Sequence, residues 1–89
     1  MLDLATEREH LAKADRDIAE GEERISRQAE LIERLREGGY SLSEAEGLLA
    51  TLTQTLQLWR DHRDEILRTI ARLESKRLGA PGGASTPLA

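Results

Sequence analysis

The sequence predicts an all-α fold: an antiparallel hairpin of two long helices, coiled-coil-like, that dimerises into a four-helix bundle. Three observations carry this expectation. Apolar residues recur at three- and four-residue steps over two long stretches, the spacing of one helix face. Between those stretches stands a Gly38-Gly39 pair, and neither stretch contains proline. The sequence has 89 residues with one Trp, one Tyr and no Phe, so Leu, Ile and Ala must build whatever core exists.

The first helix is expected over residues 3–37. Leu4, Leu11, Ile18, Ile25 and Ile32 repeat every seven residues, with Ala14, Gly21 and Ala29 placed on the same side. The stripe is narrow and rich in small residues, as in a coiled-coil seam. Gly21 disfavours a helix interior by roughly 1 kcal/mol relative to Ala. On the seam it permits close helix approach; off the seam it is a soft point.

Residues 38–42 form the turn. A glycine here can adopt the left-handed conformation that closes a helix. Ser43 with Glu46 fits a capping box, and Ser41 with Glu44 is the alternative frame. So short a link makes the helices antiparallel, each about 50 Å long at ~1.5 Å per residue.

The second helix is expected over residues 43–78. Leu48, Leu49, Leu52, Leu56, Trp59, Ile66, Ile70 and Leu73 lie on one face. That face spans roughly 120° when residues are set about 100° apart, wider than the first helix covers. Leu49, Leu52, Leu56, Trp59, Arg63, Ile66, Ile70 and Leu73 are therefore expected to meet both the first helix and a second protomer, in a two-fold dimer. Residues 79–89 have the Gly/Pro/Ala/Ser composition of a flexible tail.

Composition bounds the function. Two slender helices bury one stripe each, and so small a core rarely supplies more than ~3–5 kcal/mol. With no Cys, neither disulfides nor thiolate metal sites can add support, which leaves oligomerisation. The net charge is −4; residues 1–37 hold 11 acids against 7 bases and residues 43–78 hold 6 of each. Nucleic-acid binders usually show a basic stripe, so nucleic acid is not expected as a partner. Arg60, Arg63, Arg68, Arg72 and Lys76 would carry that alternative. No stretch approaches the ~20 apolar residues of a membrane span, and the first residues lack a secretory pattern, so the cytoplasm is the expected compartment.

Charges interrupt both stripes. Glu7 and Glu22 are read onto the first seam, Arg63 and Arg77 onto or near the second. Folding about the glycines brings Glu22 toward Arg63 and Glu7 toward Arg77, two seam ion pairs that would fix register. The alternative for Arg63 is to reach water between protomers.

Chemistry finds little footing. Glu7-Arg8-Glu9-His10 is a Glu-x-x-His, a motif that di-iron bundles use twice. With Glu74 nearby, Glu7 and His10 form the alternative metal site, but position 59 is Trp and the second helix offers no matching motif. His62, at the edge of the apolar face, reads as a packing residue. The serines have no His and acid placed to form a triad. Gly38-Gly39 lacks the Gly-Lys-Ser/Thr of a phosphate loop. No cofactor and no catalytic residue are expected.

Two resemblances emerge. Gly39-Tyr40-Ser41-Leu42-Ser43-Glu44 followed by Leu48-Leu49 resembles the link into the dimerisation helix of MerR-type regulators. A plain amphipathic helix precedes it here instead of a winged helix-turn-helix, so what is shared is a cap followed by a dimerisation helix. More of the chain is similar to a widespread group of short bacterial proteins with no assigned activity. His10-Leu11, Ala14-Asp15-Arg16, Ile18-Ala19-Glu20-Gly21-Glu22, Ile25, Arg27-Gln28 and Ile32 carry the first half of that likeness. Gly39-Tyr40, Ala45-Glu46, Leu48-Leu49, Thr51-Leu52, Leu56 and His62-Arg63 carry the second. Asp17 stands where a His is common in that group, so the likeness lends nothing to a shared metal site. It implies a helical hairpin and no activity. The functional expectation is a non-enzymatic adaptor or regulator acting through self-association and an unknown protein partner.

Overall fold

The structure, a computed structural model, describes residues 2–77. It is two long helices packed along their length: α1, Leu4–Glu37, and α2, Ser43–Arg77. The expected bounds differ from these by one residue at the start of α1. The expected tail lies outside the described residues, as does Leu78.

Helix α1 starts where Asp3 adopts an extended conformation and its carboxylate accepts the Thr6 N–H at 2.8 Å. That bond satisfies one of the amides a helix start leaves orphaned. It also holds the Asp3 carboxyl below the usual aspartate range. The helix closes with paired bonds in which Tyr40 N–H donates to Leu35 C=O and Gly39 N–H to Arg36 C=O. This is the Schellman arrangement, and it needs a left-handed residue, which Gly39 supplies at φ +75°. Gly38 leaves room for the Tyr40 ring, which would lie 2.6 Å from a β-carbon there.

The expected capping box is not formed. Ser43 is already helical, and the Leu42 carbonyl accepts the Glu46 N–H at 2.8 Å. The hydroxyl that helps is Ser41, which accepts the Ser43 N–H at 3.4 Å. The residue contributing the first helical carbonyl is thus Leu42, so neither serine stands where a capping side chain is needed.

The buried and half-buried positions of α1 include Leu4, Glu7, Leu11, Ala14, Ile18, Gly21, Ile25, Gln28, Ile32 and Leu35. Those of α2 and the residue before it include Leu42, Ala45, Leu49, Leu52, Leu56, Trp59, Arg63, Ile66, Ile70 and Leu73. Both sets alternate steps of three and four, the pattern of a two-stranded coiled-coil seam. Ala14, Ile66 and Ile70 form the core toward the open end, with Leu4 and Leu11 packed on it. No side chain among the described residues is completely enclosed. That is the geometry of two cylinders touching along one line.

Candidate functional site

The surfaces that could act are the seam and its two flanks. Near mid-length Gly21 is buried, and a β-carbon there would lie 3.2 Å from both Leu56 Cδ1 and Trp59 Cζ3. Of the two sequence readings of Gly21, close approach is the one found. The absent side chain makes the hole into which Leu56 and Trp59 fit.

All eight α2 residues expected to be shared with a second protomer are on the seam that faces α1. The apolar arc looks wide in sequence because it includes Leu48, whose side chain is 49% exposed. Without Leu48 the rest form a strict seam that faces α1, which buries Leu56, Ile66 and Ile70 and leaves the others half-buried.

Neither expected seam ion pair is formed among the described residues. Glu22 is exposed and pairs with Arg60 at 2.8 Å, one helix turn before Arg63. Arg63 instead donates through Nε to Asp15. Glu7 is on the seam and only 5% exposed, but its carboxylate faces its own helix neighbour, His10 Nδ1, at 3.4 Å. Arg77 lies by Leu4, Arg8 and Glu74, and no ion pair joins it to Glu7 among the described residues. The physical reason is angular: Glu22 follows the seam residue Gly21 by one position, about 100° around the helix. The same offset removes Ala29 from the seam and puts Gln28 there, where its side-chain amide donates to the Ala45 carbonyl at 2.9 Å.

One flank is laced by ion pairs. Arg8 meets Glu74 at 3.0 Å, and Glu22 meets Arg60 at 2.8 Å; fourteen residues separate the members on each helix, as antiparallel packing requires. Asp15 with Arg63 lies between them. Such exposed pairs contribute about 0.2–1 kcal/mol each, so their main effect is to select the register. A sequence signal existed: Arg8, Asp15 and Glu22 recur every seven residues, and their signs oppose those of Glu74 and Arg60 in reverse order.

The opposite flank has no cross-helix ion pair among the described residues. His10, Lys13, Asp17, Trp59 and His62 border a small cavity of about 200 Å³ midway along it, with Lys13 and Asp17 paired at 2.6 Å. Nearer the turn, Leu31 and Leu48 both line two adjoining depressions of about 340 and 520 Å³.

The alternative metal site is not assembled. Glu74 is paired with Arg8, Glu7 with His10, and no group of three or more metal-capable side chains occurs among the described residues. The alternative nucleic-acid residues do not make one basic stripe. Arg60, Arg63 and Arg68 are each paired with a carboxylate (Glu22, Asp15 and Glu65), and Arg72 donates to Thr69 Oγ1. No helix among the described residues is long and apolar enough to cross a membrane.

Glu7 offers a clear test of the seam. Glu7→Leu fills the one acidic seam position with an apolar side chain. It is expected to raise the thermal midpoint by several degrees, since about 1 kcal/mol moves a domain of this size by ~4–8 °C. A lowered midpoint in a melt followed by circular dichroism would show that the carboxylate stabilises the fold.

Fold and surface together define a two-helix coiled-coil hairpin with one ion-paired and one partly apolar flank. Comparison with protein-family profiles, with curated proteins and with solved structures finds no match.

Proposed function

We propose that this protein is non-enzymatic and acts through helix–helix contact, with a protein partner and with itself, as a small adaptor or regulator. The observation that supports the reading is the asymmetry of the hairpin. Ion pairs occupy one flank, while the other exposes Leu31 and Leu48 beside the turn. Helical pairs built this way gain by adding a further helix, because a third cylinder covers apolar surface that two leave wet.

Self-association is favoured by a second observation. Leu49, Leu52, Trp59 and Leu73 are half-buried rather than buried within the hairpin. Two hairpins in a four-helix bundle would enclose them.

Sedimentation equilibrium of the full chain over a wide concentration range, with circular dichroism alongside, tests this. Self-association predicts a mass rising toward twice the 9.9 kDa of one chain, with helicity rising in step. A monomer of constant helicity throughout would remove self-association from the reading.

A further inference from the structure

We propose that the groove between α1 and α2 beside the turn, floored by Leu31 and Leu48 and rimmed by Arg24 and Arg34, receives an acidic amphipathic helix of a partner protein. This rests on the protein–protein reading above and gives that contact a place and a chemistry.

The apolar part comes from how the seam ends. Leu31 is 36% exposed and Leu48 49%, and the two border the same pair of adjoining depressions. Tyr40 continues the surface at the turn, and Leu35 and Leu52 reach it from the seam. Leu58 and Leu67, the other exposed leucines of α2, border neither depression. Clustered exposed leucines at this spacing suit a helix that lays anchors at i, i+3 or i+4, and i+7 into a groove.

Charge selects the occupant. The chain carries a net −4, yet Arg24, Arg27 and Arg34 line this groove together. Arg27 is held by Glu23 on its own helix, whereas Arg24 and Arg34 make no ion pair among the described residues. Glu44 is the one acidic residue lining either depression. A second copy of this chain stacked on the same surface would bring three arginines and a single Glu from each side, a poor electrostatic match. Both guanidinium groups belong to α1 and so to one side of the groove, and a partner helix with carboxylates along one border of its apolar stripe satisfies them. Phosphate ligands would leave the leucine floor unused. From Arg24 to the end of α1 at Glu37 the groove runs about 20 Å at ~1.5 Å per residue, the length of a helix of roughly four turns.

The probe is a fluorescein-labelled four-turn peptide with leucines at i, i+3, i+4 and i+7 and glutamates along one border of that stripe. A matching peptide with lysines along that border is its control. Fluorescence anisotropy with the full-length protein is expected to show saturable binding of the acidic peptide, at least about tenfold tighter than the lysine peptide at low salt. Arg24→Glu with Arg34→Glu is expected to reverse that preference, and Leu48→Asp to abolish binding. All three positions are at the surface, so each variant should retain the helicity and melting temperature of the parent.

Equal affinity for the two peptides, or unchanged binding by Leu48→Asp, overturns the proposal. So does tighter binding of an RNA duplex or an anionic vesicle than of the acidic peptide. If the acidic peptide fails to bind and Leu48→Asp converts a dimer to a monomer, a second copy covers the groove; this inference then falls while the protein–protein reading stands. If no peptide binds and parent and variants are all monomeric, both fall.

Discussion

Leu56→Ala is expected to abolish the cooperative thermal transition of the hairpin near room temperature. Leu56 is 5% exposed and occupies the hole that Gly21 provides at mid-seam. Truncating a buried leucine removes about 2–5 kcal/mol, because transfer energy is lost and a cavity remains. A two-helix core rarely supplies more than ~3–5 kcal/mol altogether. The two magnitudes are comparable, so one truncation should leave a largely unfolded chain. Circular dichroism at 222 nm during a urea titration reads this directly. Leu58→Ala is the control: its side chain is 67% exposed, and the expected change is within about 0.5 kcal/mol. If Leu56→Ala and Leu58→Ala melted alike, the seam would not be what holds the helices together.

The second large effect is expected at Gly21. Two terms compete there. Replacing a mid-helix glycine by alanine gains about 1 kcal/mol of helix propensity. Against that, the new β-carbon would sit 3.2 Å from Leu56 and Trp59, closer than comfortable contact. Small shifts of both side chains absorb one methyl group, so Gly21→Ala should be close to neutral. Gly21→Leu has no such escape. Its branches occupy the space of the indole, and overpacking of this kind is destabilising by about 1–3 kcal/mol or more. The chain has a single tryptophan, so the readout is specific. Gly21→Leu should shift Trp59 emission to longer wavelength as the ring is displaced into water, with the thermal midpoint lowered. An unchanged emission spectrum would mean that Trp59 does not rest on Gly21.

These effects concentrate at mid-seam because each end has its own support. Beside the turn, Gln28 donates to the Ala45 carbonyl, and the Schellman bonds close α1. Toward the open end, Ile66 and Ile70 pack with Ala14, and Arg8 meets Glu74 outside them. At the centre the contact is one glycine against one leucine and one tryptophan. The cross-helix bond beside it, from Arg60 to Glu22, is exposed on the flank and replaces little of the lost packing.

The residues of this chain determined by themselves that it would be two helices joined at Gly38-Gly39. Seven-residue recurrence of Leu4, Leu11, Ile18, Ile25 and Ile32 is a local property, and so is the left-handed demand that Gly39 meets. The tertiary structure decided the register, and with it every pairing. A heptad repeat fits its partner about equally well at shifts of seven, and sequence alone does not fix how far the turn carries the chain before α2 begins. Glu22 meets Arg60, one turn from the expected Arg63, and Arg63 meets Asp15, two turns from the expected Glu22. The same degeneracy hid the exposed flank. Leu48 has the spacing of a seam residue relative to Leu52, and only the rotation of α2 about its own axis, set by all its contacts with α1, turns it outward beside Leu31. Angles between neighbouring positions on one helix can be read in a sequence. The angle at which that helix rolls against another is settled by the sum of its packing, and the candidate site follows from that roll.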